Sequence, residues 1–434
     1  MTLLEPIPSI RLKNGLEIKL KEIHTAPLVS SWVWYRVGSR DEIPGITGLS
    51  HWVEHMQFKG TNKFPAEERE KTIARAGGTW NAFTYLDWTT YFETMPADKI
   101  DQALEIEADR MVNSLYDPEE VESERTVIMS ERQGRENQPS FWLMEAIHKA
   151  AFQIHAYNHM ILGDMVDLGT IQRDDLYQHY KTYYSPNNAL ISIAGDFDSN
   201  SMLKRLEEFY GGLAVGDDPP RINRPEPAQR GEHRLTVEGP GDTLLTDVAY
   251  HAPPASQADF FPFLILDSIL SGPQGLNMFG GGGISNKTSR LYARMVEDEE
   301  VAVSISGGLP ATIDPYLYTI SLIVHPDSTP EAALAVLDGE IQRLQDSLAA
   351  PEELERAARQ TRALFAYGGE SITNQAFWMG FSEMFASYDW VTGYLDHLQA
   401  VTPDDVQRVA REYLTPKTRI VGIYQPHNKG KDLS

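Results

Sequence analysis

Thr47-Gly48-Leu49-Ser50-His51-Trp52-Val53-Glu54-His55-Met56-Gln57-Phe58-Lys59-Gly60 is the stretch on which the reading of this chain turns. Taken as a helix, it starts at Thr47, a residue type that caps helix N-termini, and stops at Gly60. His51 and His55 are then one turn apart on the same face, with Glu54 beside them. Two imidazoles so placed can share a tetrahedral zinc ion, and an adjacent carboxylate can work on a water held there. Three fixed positions in five also arise by chance, so the rest of the chain must supply a third ligand.

At 434 residues the chain is long enough for two or more domains. A hydrophobic fraction of 41%, with 19 Tyr, 16 Phe and 8 Trp, provides for sizeable cores. There is no Cys, so a metal must be held by nitrogen and oxygen. The net charge of −24 argues against nucleic acid or an anionic membrane as a partner. It suits basic peptides, although an acidic surface more often serves solubility. The first residues, MTLLEPIPSIRLKNG, lack a basic region followed by an apolar run, and no stretch approaches the roughly 18 apolar residues of a membrane helix. A soluble, cytoplasmic protein is expected.

Asn14-Gly15 between two alternating segments signals a hairpin. A strand over Val29 to Val37 leads to the metal helix, and a second helix over Glu67 to Ala76 ends at Gly77-Gly78. Trp80 to Tyr85 and Thr89 to Thr94 are rich in aromatic and β-branched residues and read as two short strands. Ile100 to Leu115 has helical spacing. Asp117-Pro118-Glu119-Glu120 then carries the cap, proline and acidic first turn of another helix, expected to end before Pro139. On it Glu124 and Glu131 are seven apart and share a face.

Asp174 to Pro186 followed by an apolar strand, Ala189 to Ala194, recurs near the C-terminus as Asp404 to Pro416 followed by Arg419 to Ile423, at one offset. This implies two homologous halves. Gly211 to Gly231 has no apolar period and reads as the connection. The expected fold is α+β, each half a mostly antiparallel sheet covered by helices. Domains are expected at 1–215 and 232–434, with a linker at 216–231. The second half should hold strands near Leu235, at Leu244 to His251 and at Leu317 to His325. Its helices should run from Phe260 to Leu270 and from Pro330, Pro351 and Pro403.

The order H-x-x-E-H is the inverse of the more familiar zinc-peptidase signature. Together with Glu124-Arg125-Thr126-Val127-Ile128-Met129-Ser130-Glu131 it resembles the pitrilysin/insulinase family of inverted zinc peptidases, which includes the mitochondrial processing peptidases. That family pairs the motif with a glutamate about 75 residues on, inside an E-R-x-V-x-x-x-E segment. Gly77-Gly78-Thr79-Trp80-Asn81-Ala82, His155-Ala156-Tyr157-Asn158-His159, Ala194-Gly195-Asp196 and Ser289-Arg290-Leu291 also look like the family, so the resemblance spans nearly the whole chain. It implies Zn2+ held by His51, His55 and Glu131, with Glu124 orienting a metal histidine. Glu54 would serve as the general base and proton carrier. It further implies that unfolded peptides add as a strand at Asn81 and Ala82, inside a chamber that limits their size. His155 and His159 are better explained as ordinary hydrogen-bonded or exposed histidines than as a second metal site.

Two rival readings remain. Gly281-Gly282-Gly283-Ile284-Ser285-Asn286-Lys287-Thr288 nearly matches a nucleotide phosphate loop, but Asn286 stands where that motif needs glycine. A glycine-rich loop here instead resembles one that the processing peptidase's non-zinc subunit uses in substrate handling. The other rival is a non-catalytic scaffold or core subunit of the same family; such members usually lose a ligand or the base, and here all four residues are present. One departure matters. Counted from Ser289-Arg290-Leu291, the arginine and tyrosine with which the family binds substrate and polarises its carbonyl fall on Val296 and Val303. Unless nearby Arg294 or Tyr292 does that work, a related subunit must supply the pair. A heterodimer is therefore expected, with a homodimer as the alternative.

Overall fold

The computed structural model describes residues 5–276 and 285–427, and contains two compact units, each built on one sheet. The first sheet joins β1 (Ile10–Arg11), β2 (Glu17–Glu22), β3 (Leu28–Tyr35), β4 (Thr79–Thr84), β5 (Thr89–Pro96) and β6 (Ala189–Gly195) in the order β1-β2-β6-β3-β5-β4. The second joins β7 (His233–Pro240), β8 (Leu245–Ala252), β9 (Ala302–Gly308), β10 (Tyr316–Val324) and β11 (Arg419–His427) in the order β7-β11-β8-β10-β9. Apart from the short β1, the two orders correspond strand for strand. In both, the first and last strands pair in parallel, β2 with β6 and β7 with β11, and the other pairings are antiparallel. The fold is α+β in two homologous halves, as the repeated helix–strand segment implied.

Why each sheet needs cover on both faces is visible in β3. Seven of its eight residues are buried, so its two alternating faces are both shielded. Val29, Val33 and Tyr35 belong to the core cluster of the first unit, which also holds residues of α1 (Leu49–Met56) and α3 (Ile100–Asn113). Trp32 and Trp34 alternate with them and point the other way. They meet Phe377, on the helix Ile372–Phe385, at ring-centroid distances of 5.2 and 5.4 Å. Ser192 on β6 accepts from Trp34 Nε1 and donates to the Ala376 carbonyl.

The compact units therefore do not follow one cut through the chain. The first comprises the chain up to Gln133, His159–Arg224 and Gly369–Thr392. The second takes Gly134–Asn158, Pro225–Gly368 and the chain from Gly393. Helix α5 (Pro139–Ala151) belongs to the second unit and packs on β7, β8 and β11, where Leu143 and Ile147 fit against Gly422. The sequence reading of domains 1–215 and 232–434 differs from this arrangement because each sheet takes one covering helix from the other half of the chain. Residues 216–231 carry no helix or strand.

Most elements given bounds from the sequence lie within two residues of them, whereas β9, α5 and the helices Ser199–Tyr210 and Ile372–Phe385 have no counterpart in that reading. α2 (Ala66–Arg75) and α4 (Pro118–Glu136), with α3, complete the helices around the first sheet that concern the site. Gly281-Gly282-Gly283 lies outside the described residues; Ser285 to Thr288 leads into a short helix at Arg290–Tyr292. No helix among the described residues is long and apolar enough to cross a membrane.

Candidate metal centre

Helix α1 does not begin as its sequence suggested. The capping position is Gly48, at φ 87°, and it places no side chain on the free N–H groups. Thr47 turns away: its hydroxyl donates to Asp167 and accepts from the Asp164 N–H. The cap comes from a distance. Glu42 accepts from the Gly48 and Ser50 N–H groups, both at 2.7 Å. A carboxylate there meets both the unpaired donors and the positive end of the helix. Burial nonetheless pushes its pKa up, to about 8.

One turn later the histidines face α4. His51 Nε2 lies 3.8 Å and His55 Nε2 3.7 Å from Glu131 Oε2, and one donor atom from each residue falls within 4.8 Å of the others. An ion with bonds of about 2.0–2.2 Å in a tetrahedron spaces its ligands roughly 3.3–3.6 Å apart. The two histidine-to-Glu131 separations exceed that spacing by only a few tenths of an ångström, and two imidazoles with a carboxylate are a donor set that suits zinc. His55 Nδ1 is 2.8 Å from Glu124 Oε1, which turns Nε2 toward the cluster. Lys59 Nζ, 2.5 Å from Glu124 Oε2, holds that carboxylate in turn.

Electrostatics separate the two imidazoles. Burial, and then the neighbouring His55, push the His51 pKa down to about 3, so the ring is neutral. For His55 burial also acts downward, but the hydrogen bond to Glu124 and the charges of Glu54, Glu124 and Glu131 outweigh it and raise the value. Glu124 is lowered because its bonds to His55 and Lys59 outweigh its own burial. Glu54 is raised by burial, against the pull of Thr84.

Glu54 is buried, and its Oε2 accepts from Thr84 Oγ1 at 2.8 Å. Thr84 closes β4, which is an edge strand of the first sheet. The strand is fastened near α1 by Arg69, whose guanidinium lies 4.5 Å from the Phe58 ring and 4.3 Å from the Trp80 ring. On β4, Asn81 is exposed and Ala82 buried; the Asn81 side chain accepts from the Ala82 N–H at 2.9 Å.

The structure thus brings His51, His55, Glu131, Glu124 and Glu54 together in one unit, with Asn81 and Ala82 on the neighbouring strand. His155 and His159 are not exposed. His155 pairs with Asp314 in the second unit, and His159 sits 3.2 Å from the Met160 carbonyl in the first. Arg294 is engaged with Asp298, Glu299 and Glu340, and Val303 is 51% exposed on β9. Glu42, Lys59 and Thr84 were not singled out from sequence. For Thr84 a signal existed, since it alternates with Ala82 and shares its face of the strand.

Residues 17–165 match the model for insulinase, peptidase family M16, and residues 170–361 match the model described as the peptidase M16 inactive domain. The chain is 26% identical over 410 residues to an uncharacterized zinc protease, YmxG, of Bacillus subtilis, covering 93% of this chain and 94% of that one. It is 27% identical over 412 residues to the mitochondrial-processing peptidase subunit beta of Lentinula edodes, covering 94% and 87%. Among solved structures, a protease from Helicobacter pylori shares the fold at a TM-score of 0.91 and 24% identity, over 98% of this chain and all of that one. The two M16 models together span most of the sequence, and the chain belongs to the insulinase family of peptidases, M16.

Proposed function

We propose that this chain is a zinc metallopeptidase acting on unfolded peptides, with Zn2+ held by His51, His55 and Glu131 and with Glu54 as the proton carrier. The observation that carries this reading is the convergence of the two Nε2 atoms on Glu131 Oε2, with a buried carboxylate one residue before His55. When bound, zinc would act as a Lewis acid on a water and on the scissile carbonyl. Glu54 Oε1 has no hydrogen-bond partner among the described residues, and is the oxygen free to take the water's proton. The same carboxyl then returns that proton to the departing amine nitrogen. Glu124 keeps the His55 ring oriented throughout.

The peptide would lie along the open edge of β4 as an added strand, next to Asn81 and Ala82. For this the Ala82 N–H must exchange its bond to the Asn81 side chain for one to substrate. Main-chain pairing admits many sequences and requires an extended, unfolded segment.

We also infer that the active form is a heterodimer. Valine side chains at 296 and 303 donate no hydrogen bond, and Arg294 is tied to three carboxylates. A second M16 subunit would supply the missing donors to the substrate carbonyl. The relative named as a beta subunit is consistent with such pairing. The alternative, a scaffold without activity, is disfavoured by the complete donor set and by Glu54. An unstructured peptide incubated with the zinc-loaded chain and its partner tests the reading. Cleavage that stops on chelation is expected, and no cleavage would contradict it.

A further inference from the structure

Tyr85 donates its N–H to the Trp88 carbonyl at 2.8 Å, closing the turn between β4 and β5. In an antiparallel ladder the backbone groups alternate between facing the partner strand and facing away. Tyr85 faces β5, so the N–H and C=O of Thr84 and Ala82 face the open edge. The Ala82 N–H agrees, since a side chain rather than β5 satisfies it. Side chains alternate as well, and Ala82 and Thr84 share the face that meets α1, which packs on β4. There Thr84 Oγ1 donates to Glu54 Oε2 at 2.8 Å.

One residue thus touches both partners of the proposed reaction. Its backbone lies on the edge where a peptide strand would add, and its hydroxyl holds Glu54. The hold is needed because the last torsion of a glutamate is broad and two-fold, so packing alone defines a carboxylate poorly. The branched Thr84 side chain, by contrast, has few rotamers in a strand. Its hydroxyl is set before substrate arrives. Among the described residues Glu54 makes no other hydrogen bond.

We propose that Thr84 is a positioning residue that fixes the Glu54 carboxylate and ties its alignment to the docking of the peptide strand. The proposal rests on the peptidase reading above, and acts through geometry. With Oε2 committed to Thr84, Oε1 becomes the oxygen that carries the proton.

Thr84→Val keeps the branched shape and removes the donor, whereas Thr84→Ser keeps the donor and removes the methyl. Steady-state kinetics of the zinc-loaded, partnered enzyme should show kcat reduced by about 10- to 100-fold in Thr84→Val, the scale on which misplaced catalytic groups act. KM should move less than about threefold, because the peptide is still bound. Zinc content and melting temperature should match wild type, and Thr84→Ser should recover most of kcat. Crystals of metal-free Thr84→Val should show the Glu54 carboxylate rotated from its wild-type position, and Thr84→Ser should not. A wild-type kcat in Thr84→Val, an equal defect in Thr84→Ser, or an unmoved carboxylate would overturn the proposal and leave the peptidase reading standing. A zinc-loaded, partnered wild type that cleaves no peptide would overturn both.

Discussion

His55 Nδ1 sits 2.8 Å from Glu124 Oε1, and Lys59 grips the other oxygen of that carboxylate. The ring is thereby oriented with Nε2 toward Glu131, the nitrogen that a metal would take. Partners of this kind usually contribute one to two orders of magnitude to metal affinity. Glu124→Gln should therefore weaken zinc binding by about 10- to 100-fold. Competition against a chromogenic chelator measures this, and unchanged affinity would remove Glu124 from the account.

Two helical glycines, one in each unit, make a contrast. A Cβ on Gly380 would fall 1.9 Å from Trp34 Nε1, inside a ring cluster with no slack. A Cβ on Gly339, exposed in the helix Pro330–Asp346, would meet nothing within 4 Å. Gly380→Ala should cost about 1–3 kcal/mol through overpacking, while Gly339→Ala should gain up to about 1 kcal/mol of helix propensity. Chemical denaturation reads both signs.

Four buried acids set a pH dependence for the metal-free protein. Burial raises Asp41 and Asp247 to about 6, Asp267 to about 7 and Glu42 to about 8. An acid whose folded pKa exceeds its unfolded value binds its proton more tightly when folded. Its contribution is complete below about pH 4 and is lost as pH rises through the folded value. Between pH 7 and 8.5, above the range in which the depressed His51 and His179 act with the opposite sign, the melting temperature should fall. Asp267→Asn, which keeps a partner for Tyr318 and removes the titration, should shrink the fall. An equal slope in Asp267→Asn would contradict the assignment.

The heterodimer inference has its own signature. Loss of one donor to a developing oxyanion typically costs about 10²–10³ in rate. The isolated chain should bind zinc yet cleave slowly, and a related subunit bearing the arginine and tyrosine should restore turnover. Fast turnover by the chain alone, undiminished at dilutions that keep it monomeric, would refute this.

The site was largely legible because its signals are local. His51, Glu54 and His55 share one helix, Glu124 and Glu131 share one face of another, and both spacings follow from 3.6 residues per turn. The cap on α1 was not legible. Glu42 acts through a chain reversal that no periodicity records, and Thr47 had the right chemistry but the wrong orientation. The two sheets could be anticipated from the repeated helix–strand segment. The exchange of covering helices could not, since Phe377 and Trp34 are far apart in sequence and meet only once the sheet is formed.

His51, His55 and Glu131 are proposed to hold zinc while Glu54 moves the proton. The most direct test of that assignment is paired zinc analysis and peptide hydrolysis on wild type, His55→Ala and Glu54→Gln, assayed with the partner subunit. One zinc per chain is expected in wild type and in Glu54→Gln, none in His55→Ala, and hydrolysis in wild type alone. A Glu54→Gln protein that loses its zinc, or that keeps it and still cleaves peptide at the wild-type rate, would contradict the assignment.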